Sequence, residues 1–337
     1  ALPIYIREVQ PTMFASVPRL LEKVYDKIMA KGNELTGFKR TLFFAAIDFG
    51  LQYDPMKKLG FLDSLKLSIY RKLIFSKWKE ALGGKIRLIT SGSAALQPRL
   101  SRVFWAAGIP ISEGYGLTET SPVISVSQVD PIDFQVGCVG TVLDCLELKI
   151  AEDGEICVKG DSIMPGYYKN PEATAEAIDK DGWFHTGDIG EMVQGKYLKI
   201  TDRKKEIFKT SGGKYVAPQP IENKMKESPF IEQIVLIGDN KKFVSALIVP
   251  GFSKLRDWAK QHGIEYTSNE EIIKNNMVIT LITDIVDEYN KLFNQVEQVK
   301  KFTLIPREFT IDKGEMTPKL SIRRKQVLAN FEKEIDT

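Results

Sequence analysis

A chain of 337 residues exceeds what one compact domain usually holds, so two or more units are expected. Hydrophobic residues at 43%, charged residues at 27% and a net charge of +3 describe a globular protein without the concentrated positive charge that nucleic-acid binding needs. Cys138, Cys145 and Cys157 lack C-x-x-C spacing and the histidines are only His185 and His262, against a disulfide framework, a zinc cluster or a hydrolase triad. No apolar run approaches the roughly 18 residues of a membrane span, and the cysteine usage predicts a reducing compartment, the cytoplasm.

No starting element is evident before Pro18. From there Leu21, Val24, Tyr25 and Ile28 recur at i, i+3, i+4 and i+7, which predicts a helix that Gly32 closes. Residues 33–80 read as helical, rich in Phe, Leu and Lys. A short buried strand over 85–90 runs into the small-residue loop 91–96. A helix over 98–107 and a second strand over 109–112 follow, and the strand leads into a loop over 113–120. Strand, loop, helix, strand and loop in this order predict a parallel α/β layer with its ligand site at the carboxyl ends of the strands. Between 137 and 200 short strands and turns (146–150, a turn at Asp153-Gly154, 155–159, a turn at 195–197) predict a small β-rich subdomain. A second, α+β domain is expected from Asp202: a helix opened by Pro218 and Pro220, a strand pair over 233–237 and 243–249, and a long helix over 270–295. Val278, Ile282, Ile285, Tyr289 and Leu292 form that helix's apolar stripe.

Ser91-Gly-Ser-Ala-Ala-Leu96 reads first as a turn after a strand. Its lack of bulk also lets backbone lie close against a flat ligand. Glu113-Gly-Tyr-Gly-Leu-Thr-Glu-Thr120 is more specific: Tyr115 can stack on a base, Thr118 can donate to phosphate, and Glu119 is a hard oxygen ligand suited to Mg²⁺. Trp183-Phe-His-Thr-Gly-Asp188 ends in a carboxylate able to accept both hydroxyls of a ribose. The charge run from Thr201 to Lys209 would ordinarily be a solvated face, but it lies at a domain boundary and precedes Ser211-Gly-Gly213.

Together and in this order, these segments resemble the adenylate-forming, acyl-activating enzymes, most closely the long-chain fatty acyl-CoA synthetases. The resemblance runs through Pro11-Thr12, Val17-Pro-Arg-Leu-Leu-Glu-Lys-Val-Tyr25, Gly83-Gly84 and the motifs above. It also takes in Met164-Pro-Gly-Tyr167 with Glu172 and Thr174, and Asp202-Arg-Lys-Lys-Glu206, so that essentially the whole chain is covered. It implies an α/β part of the AMP-binding domain over 1–136, its β-rich subdomain over 137–201, and a mobile C-terminal α+β domain over 202–337. The implied reaction joins a long-chain fatty acid to ATP as acyl-adenylate, from which coenzyme A then displaces AMP. By the same resemblance the backbone of Ser93, Ala94 and Ala95, with Tyr115 and Gly116, holds adenine. Thr118 contacts phosphate, Glu119 carries Mg²⁺, and Asp188 holds the ribose with Arg203 beside it. Lys205 is the hinge, and Gly212 and Gly213 line the approach of the coenzyme A thiol.

Two departures stand out. The family's Ser/Thr/Gly-rich loop ending in Pro-Lys-Gly, which wraps the ATP phosphates upstream of these motifs, has no counterpart here. The chain therefore reads as the C-terminal part of a larger enzyme, expected not to activate fatty acid alone. The register set by Arg324 also puts Ser321 where the family has its catalytic lysine, and the nearest lysine is Lys319. If 319–321 is extended, side chains two apart share a face, and Lys319 serves in place of the family's lysine. Arg323, Arg324 or Lys325 are the alternative sources of charge. Two other functional readings stay open: an acyl-adenylate ligase with a different acceptor, and a non-catalytic nucleotide-binding relic. Because a long-chain acyl substrate partitions into bilayers, peripheral contact at the cytoplasmic membrane face is an expectation for the Phe- and Lys-rich 38–80 region. Ordinary core-packed helices are the alternative there.

Overall fold

The computed structural model describes residues 2–129, 132–318 and 320–335, and divides the chain into two compact units, Ala1–Ile200 and Thr201–Thr337. In the first unit, strands Met13–Ser16, Leu88–Ser91 and Ile111–Tyr115 pair in parallel, and Ser125–Val126 and Thr141–Val142 extend the sheet antiparallel. The expected parallel layer is present, but both predicted strands start two to three residues further along the chain. Pro110 is the reason for the second shift: it has no N–H for the ladder, so the strand starts after it and carries Gly114 and Tyr115 to its end. Met13–Ser16 escapes sequence reading because it is four residues long and nowhere fully buried.

Proline at the first turn opens helices Pro18–Asn33 and Pro98–Ala106. The region read as helical over 33–80 is interrupted at 53–60, where Pro55 and Gly60 fall between Gly37–Gln52 and Phe61–Tyr70. The latter runs through a π-helical turn, Arg71–Phe75, into Ser76–Ala81. Leu21, Ile47, Phe75, Trp78, Phe104, Ile89 and Ile111 share one core. A Cβ at Gly50 would sit 2.8 Å from Val103 Cγ2, so glycine allows the close helix–helix approach there. The β-rich part is a four-stranded sheet in the order Tyr197–Arg203, Phe184–Val193, Glu155–Gly160, Leu146–Ile150. Its last three strands pair antiparallel, with an irregularity between His185 and Ile189.

In the second unit, Ile231–Ile237 pairs antiparallel with Val244–Pro250, and Val299–Leu304 joins parallel on the other side. This third strand was not predicted, because its lysines at 300 and 301 hide the pattern. The helix expected over 270–295 is instead Asn269–Ile272 followed by Asn276–Asn290. The Asn275 side chain accepts from Met277 N–H and starts a new helix. Asn290 ends it by exchanging hydrogen bonds with the backbone of Val299. Leu292 therefore lies beyond the helix and is 61% exposed, and Val286 joins Val278 and Ile282 as its buried residues.

Candidate active site

The parallel strands present two loops at their carboxyl ends. A Cβ at Gly92 would be 3.3 Å from the Gly114 carbonyl, so the loop after Leu88–Ser91 closes onto the end of Ile111–Tyr115. Ser93 takes a left-handed φ of +70°, and Ser93, Ala94 and Ala95 are exposed, which leaves this backbone open to a flat ligand. Past Tyr115 the chain folds back sharply. A side chain at Gly116 would collide with the Pro122 carbonyl, and Thr120 Oγ1 accepts from Leu117 N–H at 3.0 Å. The 3₁₀ turn Thr118–Thr120 thus holds Thr118 exposed and Glu119 half-buried.

Glu119 is tethered twice. Its carbonyl accepts from Met164 N–H at 2.8 Å, and its Oε1 accepts from the Tyr167 hydroxyl at 3.0 Å. Burial, and then the neighbouring Glu119 carboxylate, push the Tyr167 phenol above its ordinary value, which keeps it a donor. Thr174 secures the segment by accepting from Tyr167 N–H at 2.9 Å and donating to the Asn170 carbonyl at 2.8 Å. Tyr167 and Thr174 both lie in motifs quoted above, yet the grip on Glu119 spans 48 residues, beyond what local spacing shows.

Asp188 sits on an irregularity of Phe184–Val193, where Gly187 has φ +72°. Thr186 Oγ1 donates to the Ile156 carbonyl at 2.8 Å and accepts from Asp188 N–H at 3.2 Å. Glu155, 5% exposed, accepts from Gly187 N–H at 3.0 Å through Oε1, and its Oε2 is 3.0 Å from His185 Nδ1. Sequence reasoning missed this residue. The Tyr115 hydroxyl donates to Asp188 Oδ2 at 2.8 Å, so residues 73 apart from two separate motifs meet in one place. Beneath them Glu113 is 6% exposed, and burial pushes its carboxyl up to about 8. The nearby Ser101 hydroxyl opposes this only weakly, because it makes no well-aligned hydrogen bond.

The other expected site residues lie in the second unit. Arg203 and Lys205 are exposed, and so are Gly212 and Gly213, at the turn between Phe208–Lys209 and Tyr215–Val216. Asp202 is fully buried and accepts from the N–H groups of Arg203 and Gln219. Burial pushes it up to about 6 against those two bonds. Arg324 is committed to this unit's interior: it reaches Glu222 Oε1 at 2.7 Å and the Leu236 carbonyl at 2.8 Å, with Glu206 at 3.7 Å. It therefore cannot be the alternative source of charge for phosphate. Lys319 lies outside the described residues. The extended geometry expected over 319–321 is contradicted at Leu320, which has φ +62° within a turn where Thr317 N–H meets the Ser321 carbonyl at 2.8 Å. An antiparallel bridge between Met316 and Ile322 closes that turn.

Residues 1–168 match the family described as AMP-binding enzyme, and residues 205–337 match the AMP-binding enzyme C-terminal domain. The long-chain-fatty-acid–CoA ligase FadD15 of Mycobacterium bovis is 36% identical over 331 residues, 97% of this chain and 54% of that protein. Long-chain-fatty-acid–CoA ligase 1 of Cavia porcellus is 37% identical over 347 residues, 98% of this chain and 48% of that protein. The chain spans about half the length of the curated relatives it matches. Among solved structures, the adenylation domain of a Mycobacterium chelonae carboxylate reductase superposes with a TM-score of 0.72 at 22% identity, covering 99% of this chain and 47% of that one. The corresponding Segniliparus rugosus domain, in complex with AMP and a co-purified carboxylic acid, gives 0.72 at 21%, covering 99% and 48%. At such identities the likeness shows the fold, and that fold agrees with the one expected from the motifs. By its two family matches, over residues 1–168 and 205–337, the chain belongs to the AMP-binding enzymes.

Proposed function

We propose that this chain serves an AMP-forming long-chain fatty acid–CoA ligase, in which a fatty carboxylate attacks ATP and coenzyme A then displaces AMP from the acyl-adenylate. The observation that carries this reading is the Tyr115–Asp188 hydrogen bond, which joins the base-stacking and ribose-holding groups at the carboxyl ends of the parallel strands. The choice of acyl and acceptor substrates follows the relatives named long-chain-fatty-acid–CoA ligases. In this reading adenine lies on Tyr115 and the open backbone of Ser93, Ala94, Ala95 and Gly116, Asp188 accepts from the ribose hydroxyls, Arg203 is assigned to the ribose by its motif, and Thr118 donates to phosphate. Glu119 fits the Mg²⁺ that accompanies ATP, because it is a half-buried hard-oxygen donor whose direction Tyr167 fixes. Bound there, the ion neutralises phosphate charge. Lys319 keeps its assignment to the positive charge that assists adenylation only as the lysine nearest Ser321 in sequence, since Leu320 is left-handed rather than extended. Residues 1–136 and 137–201 form the nucleotide-holding domain, and 202–337 a domain that turns about Lys205 to bring Gly212 and Gly213 to the thiol's path.

Peripheral contact with an anionic membrane face, on the cytoplasmic side, belongs to the same proposal. Phe61, at 83% exposure, lies with Leu62, Leu65, Ile69 and Leu73 on the side of their helix away from buried Leu67 and Phe75. Lys58 and Lys72 lie close to this ridge in sequence, as does Lys66, which pairs with Asp63 at 3.1 Å, and the two other lysines offer charge that suits acidic headgroups. Among the described residues no helix is long and apolar enough to cross a membrane.

Fatty-acid-dependent ATP–pyrophosphate exchange by the ligase containing these residues tests the nucleotide assignment. Asp188→Asn should raise the KM for ATP about tenfold, roughly one charge-assisted hydrogen bond, with a smaller effect on kcat. An unchanged KM for ATP would refute the assignment.

A further inference from the structure

The irregularity between His185 and Ile189 interrupts the ladder with Glu155–Gly160 and leaves the Gly187 N–H to be satisfied by something other than a strand partner. Even a half-buried amide without a partner is costly, so the group that takes it helps decide whether this backbone conformation persists. Glu155 takes it. It stands at the start of the adjacent strand, after the turn closed by the Asp153 side chain on Glu155 N–H, and reaches Gly187 N–H at 3.0 Å. We propose that Glu155 is a positioning residue of the nucleotide site, holding the backbone at 185–188 so that Asp188 points at Tyr115 and the ribose. This rests on the assignment of Asp188 to the ribose.

The rest of the cluster supports a clamp. His185 lies between Glu155 Oε2, at 3.0 Å from Nδ1, and Asp179 Oδ2, at 3.6 Å from Nε2. Asp179 in turn accepts from Trp183 N–H and Asp181 N–H, tying the turn before the strand to the same group. Ligand atoms of Glu155, Cys157 and His185 lie within 4.8 Å of one another, a donor set a soft metal could use. Two features favour the clamp over a metal site. Glu155 Oε1 already accepts from the Gly187 amide and Oε2 faces the imidazole, and burial pushes the Cys157 thiol upward, toward its protonated form.

Three variants test the proposal. Glu155→Ala removes both oxygens, Glu155→Asp keeps the charge but withdraws it by one methylene, and Glu155→Gln retains an oxygen for Gly187 N–H. The expected result is a KM for ATP raised about tenfold in Glu155→Ala and Glu155→Asp, with the KM for fatty acid unchanged, and recovery of most of the ATP affinity in Glu155→Gln. A residue that serves stability alone would lower the melting temperature and the active fraction but leave the KM for ATP at its normal value, and that result overturns the proposal. If Glu155→Ala does not fold, Glu155→Asp decides by the same measurement. Should neither fold, amide exchange of the wild-type protein decides: a Gly187 N–H protected like its strand neighbours supports the clamp, and one that exchanges as fast as an exposed turn amide overturns it. A raised KM in Asp188→Asn with a normal one in Glu155→Asp would overturn the clamp and leave the ribose assignment standing. A normal KM in Asp188→Asn would overturn the assignment itself. Zinc binding that Cys157→Ser abolishes would replace the clamp with a metal site.

Discussion

Replacing Glu113 with Gln should change how stability depends on pH in a way no surface substitution can. Glu113 is 6% exposed, and burial raises its carboxyl from an ordinary 4.5 to about 8. Below pH 4.5 both folded and unfolded chains carry the proton, and the group costs nothing. As pH rises from 4.5 to 8 the unfolded chain ionises while the folded one keeps its proton, so stability falls; above 8 the effect levels off. At 1.36 kcal/mol per pH unit, the loss between pH 5 and pH 8 is roughly 4 kcal/mol. Glu113→Gln removes this dependence. Its buried amide has its own hydrogen-bonding cost, of about 1–3 kcal/mol, but that cost does not vary with pH. The test is therefore the change in the difference between the two proteins, not its value at one pH. Denaturant unfolding followed by tryptophan fluorescence suits the measurement, since Trp78, Trp105 and Trp183 belong to the first unit and only Trp258 to the second. Asp202, raised to about 6, is common to both proteins and cancels. Parallel pH profiles for wild type and Glu113→Gln would refute the reasoning.

Glu119→Gln keeps the side chain's shape and an oxygen for Tyr167 while removing the charge assigned to Mg²⁺, so pyrophosphate exchange should fall at least a hundredfold with the unfolding midpoint little changed. Exchange at the wild-type rate would remove Glu119 from the site. For the membrane face, sedimentation with phosphatidylcholine vesicles containing phosphatidylglycerol should pellet the protein at low salt. The double variant Phe61→Ser, Leu65→Ser should pellet severalfold less. Equal pelleting would assign the exposed ridge to some other use.

The parts of this protein legible in its sequence are those carried by local constraint. Gly114-Tyr-Gly116 is readable because glycine at 116 is forced by the Pro122 carbonyl, a contact six residues away, and the helices opened by Pro18 and Pro98 are marked by the residue that starts them. The strand Met13–Ser16 and the lysine-bearing Val299–Leu304 were not, because strands of four to six residues draw their stability from neighbours distant in sequence. The same division runs through the site. Tyr115, Glu119 and Asp188 announce themselves in short motifs, whereas the groups that aim them act from afar: Tyr167 on Glu119 across 48 residues, and Glu155 on Gly187 across 32. In sequence Glu155 is simply the residue after an Asp-Gly turn, in a place where a carboxylate would ordinarily face water. What sets it apart is that the opposite strand bulges and leaves the Gly187 N–H to be met by a side chain, a requirement that comes into being only when the two strands pair. Arg324 shows the converse: the sequence makes it available to phosphate, and folding commits it to Glu222 and the Leu236 carbonyl. A motif thus identifies the side chains that can meet the substrate, and burial and long-range pairing decide which of them are free to do so and which way they point.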